Sequence, residues 1–102
     1  MLSAVVIQVG EPNAGPPPGQ APTANFTTDG DVFYVGDTIQ CHDTSLNNPT
    51  SWQWYFNNNL FSNDQNPQFY VTIAGQLNSV IQLTATNSYG SSEAFKTVQI
   101  PV

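Results

Sequence analysis

The amino-acid sequence predicts an all-β fold, a sandwich of about seven short strands preceded by an extended N-terminal arm. Three observations carry this reading. No stretch has the periodicity of an amphipathic helix, whereas several alternate apolar and polar residues with a period of two. Those stretches are short, and clusters of Gly, Asn, Asp and Pro separate them at regular intervals. Finally, Ser51-Trp52-Gln53-Trp54-Tyr55-Phe56 holds both tryptophans of the 102-residue chain. In a strand Trp52, Trp54 and Phe56 share one face, and Gln53 and Tyr55 take the other. A face that bulky needs a second layer to bury it, which places this strand at the centre of a sandwich.

From the N-terminus, Ser3-Ala4-Val5-Val6-Ile7-Gln8-Val9 is apolar and β-branched and reads as a strand ended by Gly10. Its Ser3, Val5, Val6, Ile7 and Val9 are candidate assembly contacts. Glu11 to Gln20 is rich in proline and glycine, with a triple proline at Pro16-Pro17-Pro18, and reads as a semi-rigid extended linker. The chain thus divides into an arm, residues 1–21, and a sandwich domain, residues 22–102. Two readings of the arm stand side by side. Its strand joins its own sandwich as an extra edge, or it completes a sheet in a neighbouring subunit.

Pro22 to Phe26 opens the domain, with Ala24 and Phe26 inward, and Asp29-Gly30-Asp31 turns the chain. Val32 to Val35 reads as a short aromatic strand, in which Phe33 and Tyr34 cannot both face the core. After a turn at Gly36-Asp37, Thr38 to His42 points Ile39 and Cys41 inward, and a polar loop leads to the tryptophan strand. Asn57-Asn58-Asn59 ends that strand, because asparagine tolerates left-handed backbone. Leu60 to Asn66 reads as loop, Gln68 to Ile73 as strand and Gly75 as turn. Ser79 to Thr86 alternates cleanly, with Ile81, Leu83 and Ala85 inward, and Asn87-Ser88-Tyr89-Gly90 makes a hairpin. Glu93 to Ile100 is the last strand, and Phe95, out of phase with Val98 and Ile100, suggests a bulge or bend. The expected core is Phe26, Ile39, Cys41, Trp54, Phe56, Ile81 and Leu83. Strands in this number and spacing point to an immunoglobulin-like sandwich.

Those residues resemble a known family. Pro22-Thr23-Ala24-Asn25-Phe26, Val35-Gly36-Asp37 and Ile39-Gln40-Cys41-His42-Asp43-Thr44-Ser45 are similar to the opening of a PKD (polycystic kidney disease) domain. Trp54-Tyr55-Phe56 falls at the family's Trp-x-Phe, and Ile81 to Asn87 with Gly90 at its late hairpin. Three departures stand out. Asn57-Asn58-Asn59 replaces Gly-Asp-Gly, and residues 1–21 lie outside the pattern. Ser79 takes the place of the family's tyrosine, after an apparent short insertion at Gln76-Leu77-Asn78. The resemblance implies a non-catalytic spacer, adhesion or binding module, of the kind also found on tailed-phage particles.

Composition narrows the partners. Charged residues make up 8% of the chain, the net charge is −6, and Lys96 is its single Lys or Arg. That excludes nucleic acid as an expected partner, since binding it needs several cations, and argues against anionic membranes. A single cysteine, Cys41, rules out an intrachain disulfide. No apolar run reaches transmembrane length, and Met1 to Val9 lacks the basic flank of a signal peptide. The expected location is a virion surface or the extracellular space.

Catalytic chemistry is not expected. His42, Asp43 and Ser45 lie close in sequence, but adjacent strand residues face opposite ways. Asp29, Asp31, Asp37, Asp43 and Asp64 lack the spacing of a calcium loop, so neither metal nor cofactor is expected. Asp43 and Ser45 suit a local turn instead. The candidate ligand surface is Gln53, Tyr55, Asn57, Asn58, Asn59 and Phe61, a tyrosine among amides such as reads a neutral glycan or a protein epitope. The sequence thus favours an assembly protein of a phage virion or extracellular filament, anchored by its arm on copies of itself or on a capsid or fibre protein. The alternative is a free-standing glycan- or protein-binding adhesion module.

Overall fold

The structure, a computed structural model, describes residues 19–102. The expected arm contacts Ser3 to Val9 therefore lie outside the described residues. Seven strands follow in order: β1 (Phe26–Thr28), β2 (Thr38–Asp43), β3 (Ser51–Phe56), β4 (Asn59–Ser62), β5 (Gln68–Tyr70), β6 (Gln76–Asn87) and β7 (Gly90–Ile100). They form two antiparallel sheets, one ordered β1-β2-β5 and the other β4-β3-β6-β7. This is the all-β, immunoglobulin-like sandwich that the sequence predicts.

The tryptophan strand sits inside the larger sheet, paired on both edges. Trp54 lies opposite Leu83 and Phe56 opposite Ile81, so one row of apolar side chains crosses the sheet and faces the other layer. Trp54, Ile39, Cys41, Ile81, Leu83 and Ile100 have no solvent exposure, and Phe26 and Phe56 are buried beside them. Phe26 from the smaller sheet meets the Trp54 ring edge-on, with centroids 4.9 Å apart, a favoured quadrupole geometry that joins the two layers. The Trp54 indole donates to the Asp64 carbonyl at 2.8 Å, so its one polar group is satisfied. Trp52, at the strand's start, is only half-buried and caps that end of the core.

Four expectations are corrected. Leu60 to Asn66 is not all loop, because Asn59–Ser62 pairs with β3. Asn57 and Asn58 both adopt positive φ, 46° and 70°, as a tight two-residue hairpin turn requires. Val32 to Val35 is not a strand. Val32 makes one isolated parallel bridge to Gln99, after which Gly36 at φ 96° turns the chain. Phe33 is buried and Tyr34 exposed. The strand expected over Gln68 to Ile73 stops at Tyr70, since Val71 bonds instead to the turn at Gly36 and Asp37, 2.9 Å in each case. Lastly, no bulge lies at Phe95. The β6–β7 register runs unbroken from Asn87↔Gly90 to Ser79↔Val98. Phe95 is regular and outward, because Ser92, Ala94 and Lys96 occupy the inward phase with Val98. The register break falls between Gln76 and Ser79, where Asn78 takes φ 57°.

Candidate functional site

The chain reaches the sandwich at a pinned point. The Asn87 amide donates to the Gln20 carbonyl at 2.7 Å and to the Asn47 carbonyl at 2.8 Å. Asn47, held at φ 70°, donates in turn to the Ala21 carbonyl at 3.2 Å. Gly19 packs on the Tyr89 ring so closely that a Cβ would have no room. Further along, the Ser92 hydroxyl donates to the Pro22 carbonyl at 2.6 Å and accepts from the Ala24 N–H at 2.7 Å. These contacts tie residues 19–24 to the β6–β7 hairpin. Sequence reasoning missed Asn47, Asn87 and Tyr89, since their partners are distant in sequence and an asparagine in a turn looks complete by itself.

The outer face of the larger sheet carries a second feature. Leu60, Tyr55, Gln82 and Phe95 lie opposite one another in sequence of strands, forming one row across β4, β3, β6 and β7. Leu60 and Phe95 are exposed, and Tyr55 and Gln82 half-buried. The row is uncharged. The next row is more polar, with Gln53, Thr84 and Glu93 in register.

The structure separates the expected ligand residues. Gln53 and Tyr55 do share the outer face. Asn57 is spent internally: its amide carbonyl accepts from Val80 N at 2.8 Å, and its NH2 donates to the Ser79 hydroxyl at 3.2 Å. Asn59 donates to the Asn57 carbonyl at 3.3 Å, which leaves Asn58 as the exposed turn tip. Phe61 departs to the opposite side. A register shift between Trp54 and Tyr55 makes it the extra residue of a bulge, and its ring packs edge-on against Phe69, 5.0 Å away. There, with Phe56 stacked on Phe69 at 4.2 Å, it floors an open cleft of about 200 Å³ rimmed by Asn59, Ile73 and Gln76. This cleft admits a small apolar group.

The ionisable side chains serve the fold. Burial pushes the Cys41 thiol up to about 12, with the Asp29 carboxylate adding to the effect, so no thiolate is available. Partial burial raises the Asp43 carboxyl, but hydrogen bonds from Ser45, Gln65 and Trp52 outweigh it and hold the pKa below its ordinary value. Those bonds measure 2.9 Å from Ser45 N and 3.0 Å from each of the other two. Asp43 therefore joins the loop before the tryptophan strand to the strand itself. Asp31 pairs with Lys96 at 2.7 Å, Asp37 accepts from Tyr34 N, and Asp29 from Gln40 N. Among the described residues no three potential metal ligands converge.

No protein-family model and no curated protein matches the chain. Solved structures do. The first PKD domain of Vibrio anguillarum Epp is 30% identical, with a TM-score of 0.66 over 82% of this chain and 98% of that one. The first PKD domain of the Vibrio cholerae metalloprotease PrtV is 26% identical, with a TM-score of 0.66 over 81% of this chain and 100% of that one. Each match covers about four-fifths of this chain and nearly all of the other. The chain belongs to the PKD domain family.

Proposed function

We propose that the chain is a non-enzymatic assembly module that works outside the cell, as a surface subunit of a phage virion or an extracellular filament. The sandwich is displayed, and the N-terminal segment Ser3–Val9 fastens it to other protein subunits by strand addition. The observation that carries this is the pinned exit at Gly19 to Ala21. Asn87, Asn47 and Tyr89 hold the chain where it leaves the domain, so a pull on the arm is delivered into the longest hairpin of the sandwich. A loose tether would need no such clasp. The test is sedimentation velocity on the full chain and on a Val5→Asp, Ile7→Asp variant. The proposal expects association, with itself or with added capsid or fibre protein, to be lost in the variant while the fold persists. Unchanged association would overturn it.

A second reading rests on the outer row. Tyr55 and Phe95 expose ring surface beside the Gln82 amide on a rigid sheet, a combination suited to a glycan or a polar protein epitope. On this reading Tyr55→Ala and Phe95→Ala abolish retention on immobilised polysaccharide and the arm is dispensable. Full retention by both variants would dismiss it.

A further inference from the structure

Each sheet ends in edge strands, and among the described residues only one of them is long. β1 and β5 have 3 residues each and β4 has 4, whereas β7 has 11. The chain entering the domain flanks one end of β7, and the segment after β1 occupies the far side of the other. Pro22 and Ala24 bond to the Ser92 hydroxyl at one end. At the other, Gln99 N donates to the Asp31 carbonyl at 2.8 Å and the Gln99 carbonyl accepts from Phe33 N at 2.9 Å. The backbone groups of Gln99 thus point away from β6. Strand alternation aims those of Thr97, Phe95 and Glu93 the same way. Among the described residues these three N–H and three C=O groups have no backbone partner, and all three residues are exposed.

This window is weakly defended. Natural edges carry proline, bulges or charged side chains, inward-pointing ones included, to repel a further strand. Gly90–Ile100 has no proline and no bulge, and its inward-phase charge, Lys96, is paired with Asp31 at 2.7 Å. Instead Phe95 stands 62% exposed at its centre. The open stretch between Ser92 and Gln99 fits a strand of six or so residues, about 20 Å. The sequence of Ser3–Val9, which reads as an apolar strand, has about that length, and its side chains would cover Phe95 from the added position.

We infer that the open edge of β7 receives the Ser3–Val9 strand of a second copy of the chain. The inference rests on the arm reading above and adds the acceptor and the partner. A second copy is favoured over the chain's own arm by the exit geometry. Gly19 sits at Tyr89, beside the start of β7, and the triple proline that precedes it in sequence reads as a semi-rigid extended linker, which opposes an abrupt return on to that same strand. If two copies exchange arms reciprocally, the result is a closed two-fold dimer.

Thr97→Pro tests the edge in the full chain, because it deletes an outward N–H and leaves the β6 ladder intact. The inference expects light scattering to give twice the chain mass for the natural sequence and the single-chain mass for Thr97→Pro, with unchanged tryptophan fluorescence. Should that variant fail to fold, a copy carrying Ile7→Cys mixed with a copy carrying Phe95→Cys reports the same contact as an intermolecular disulfide. A Thr97→Pro variant that folds and still dimerises, while Val5→Asp with Ile7→Asp does not, overturns the acceptor and leaves the arm reading standing. A monomeric natural chain overturns the second-copy partner, and the arm reading is then tested on capsid or fibre protein.

Discussion

Trp54 touches both layers and is the largest fully buried side chain among the described residues. Trp54→Ala leaves a cavity with no solvent access and strands the Asp64 carbonyl, and is expected to cost about 3–5 kcal/mol in urea unfolding. Cys41, on the preceding strand β2, has its thiol pushed up to about 12 and no exposure. Native protein should resist thiol reagents until it unfolds, and fast labelling would contradict the packing. Asp43 gives a pH signature. Its pKa is depressed in the folded chain, so its stabilising contribution is full above the ordinary carboxylate range and is lost as pH falls through the folded value. Asp43→Asn should therefore flatten the acid limb of the stability curve, as chemical denaturation between neutral and strongly acidic pH would reveal. These residues were legible because each signals by type: an alternating tryptophan, a lone cysteine in inward phase, and an aspartate two before a serine.

At the scale of elements, legibility depended on regular alternation. The β3 and β6 strands alternate without interruption, so Trp54, Phe56, Ile81 and Leu83 could be placed on the core side by counting. β4 could not, for two physical reasons. Its turn is Asn57-Asn58, which reaches positive φ less easily than Asn-Gly and so signals a hairpin weakly. Its bulge then breaks the period, sending Phe61 into the cleft and away from Tyr55. Asn57, read as a turn residue and a candidate ligand contact, is also a clasp that holds Val80 and Ser79 on the neighbouring strand β6. Asn57→Ala loses both bonds and strains a left-handed position, and should cost about 2 kcal/mol. Asn57→Gly keeps the conformation and should cost less. Equal losses in the two variants, measured by thermal or urea unfolding, would mean that the hydrogen bonds alone matter.

For the whole molecule, the sandwich and the arm have different sources of order. The sandwich is held by a core shared between two sheets; strand spacing made an immunoglobulin-like sandwich readable, and motifs such as Trp54-Tyr55-Phe56 carried the resemblance to the PKD family. The exit clasp was not readable. Asn87 and the Gln20 carbonyl are 67 residues apart, and Asn47 and the Ala21 carbonyl 26 apart, so only the folded chain brings them together. The same holds for the row of Leu60, Tyr55, Gln82 and Phe95, which takes one residue from each of four strands. The central claim is that the arm assembles and the sandwich stands alone, and solution mass tests it most directly. Light scattering should find the full chain associated, and a chain starting at Ala21 monomeric with native tryptophan fluorescence. Association that survives removal of residues 1–20 would contradict the account and move the contact to the sandwich itself.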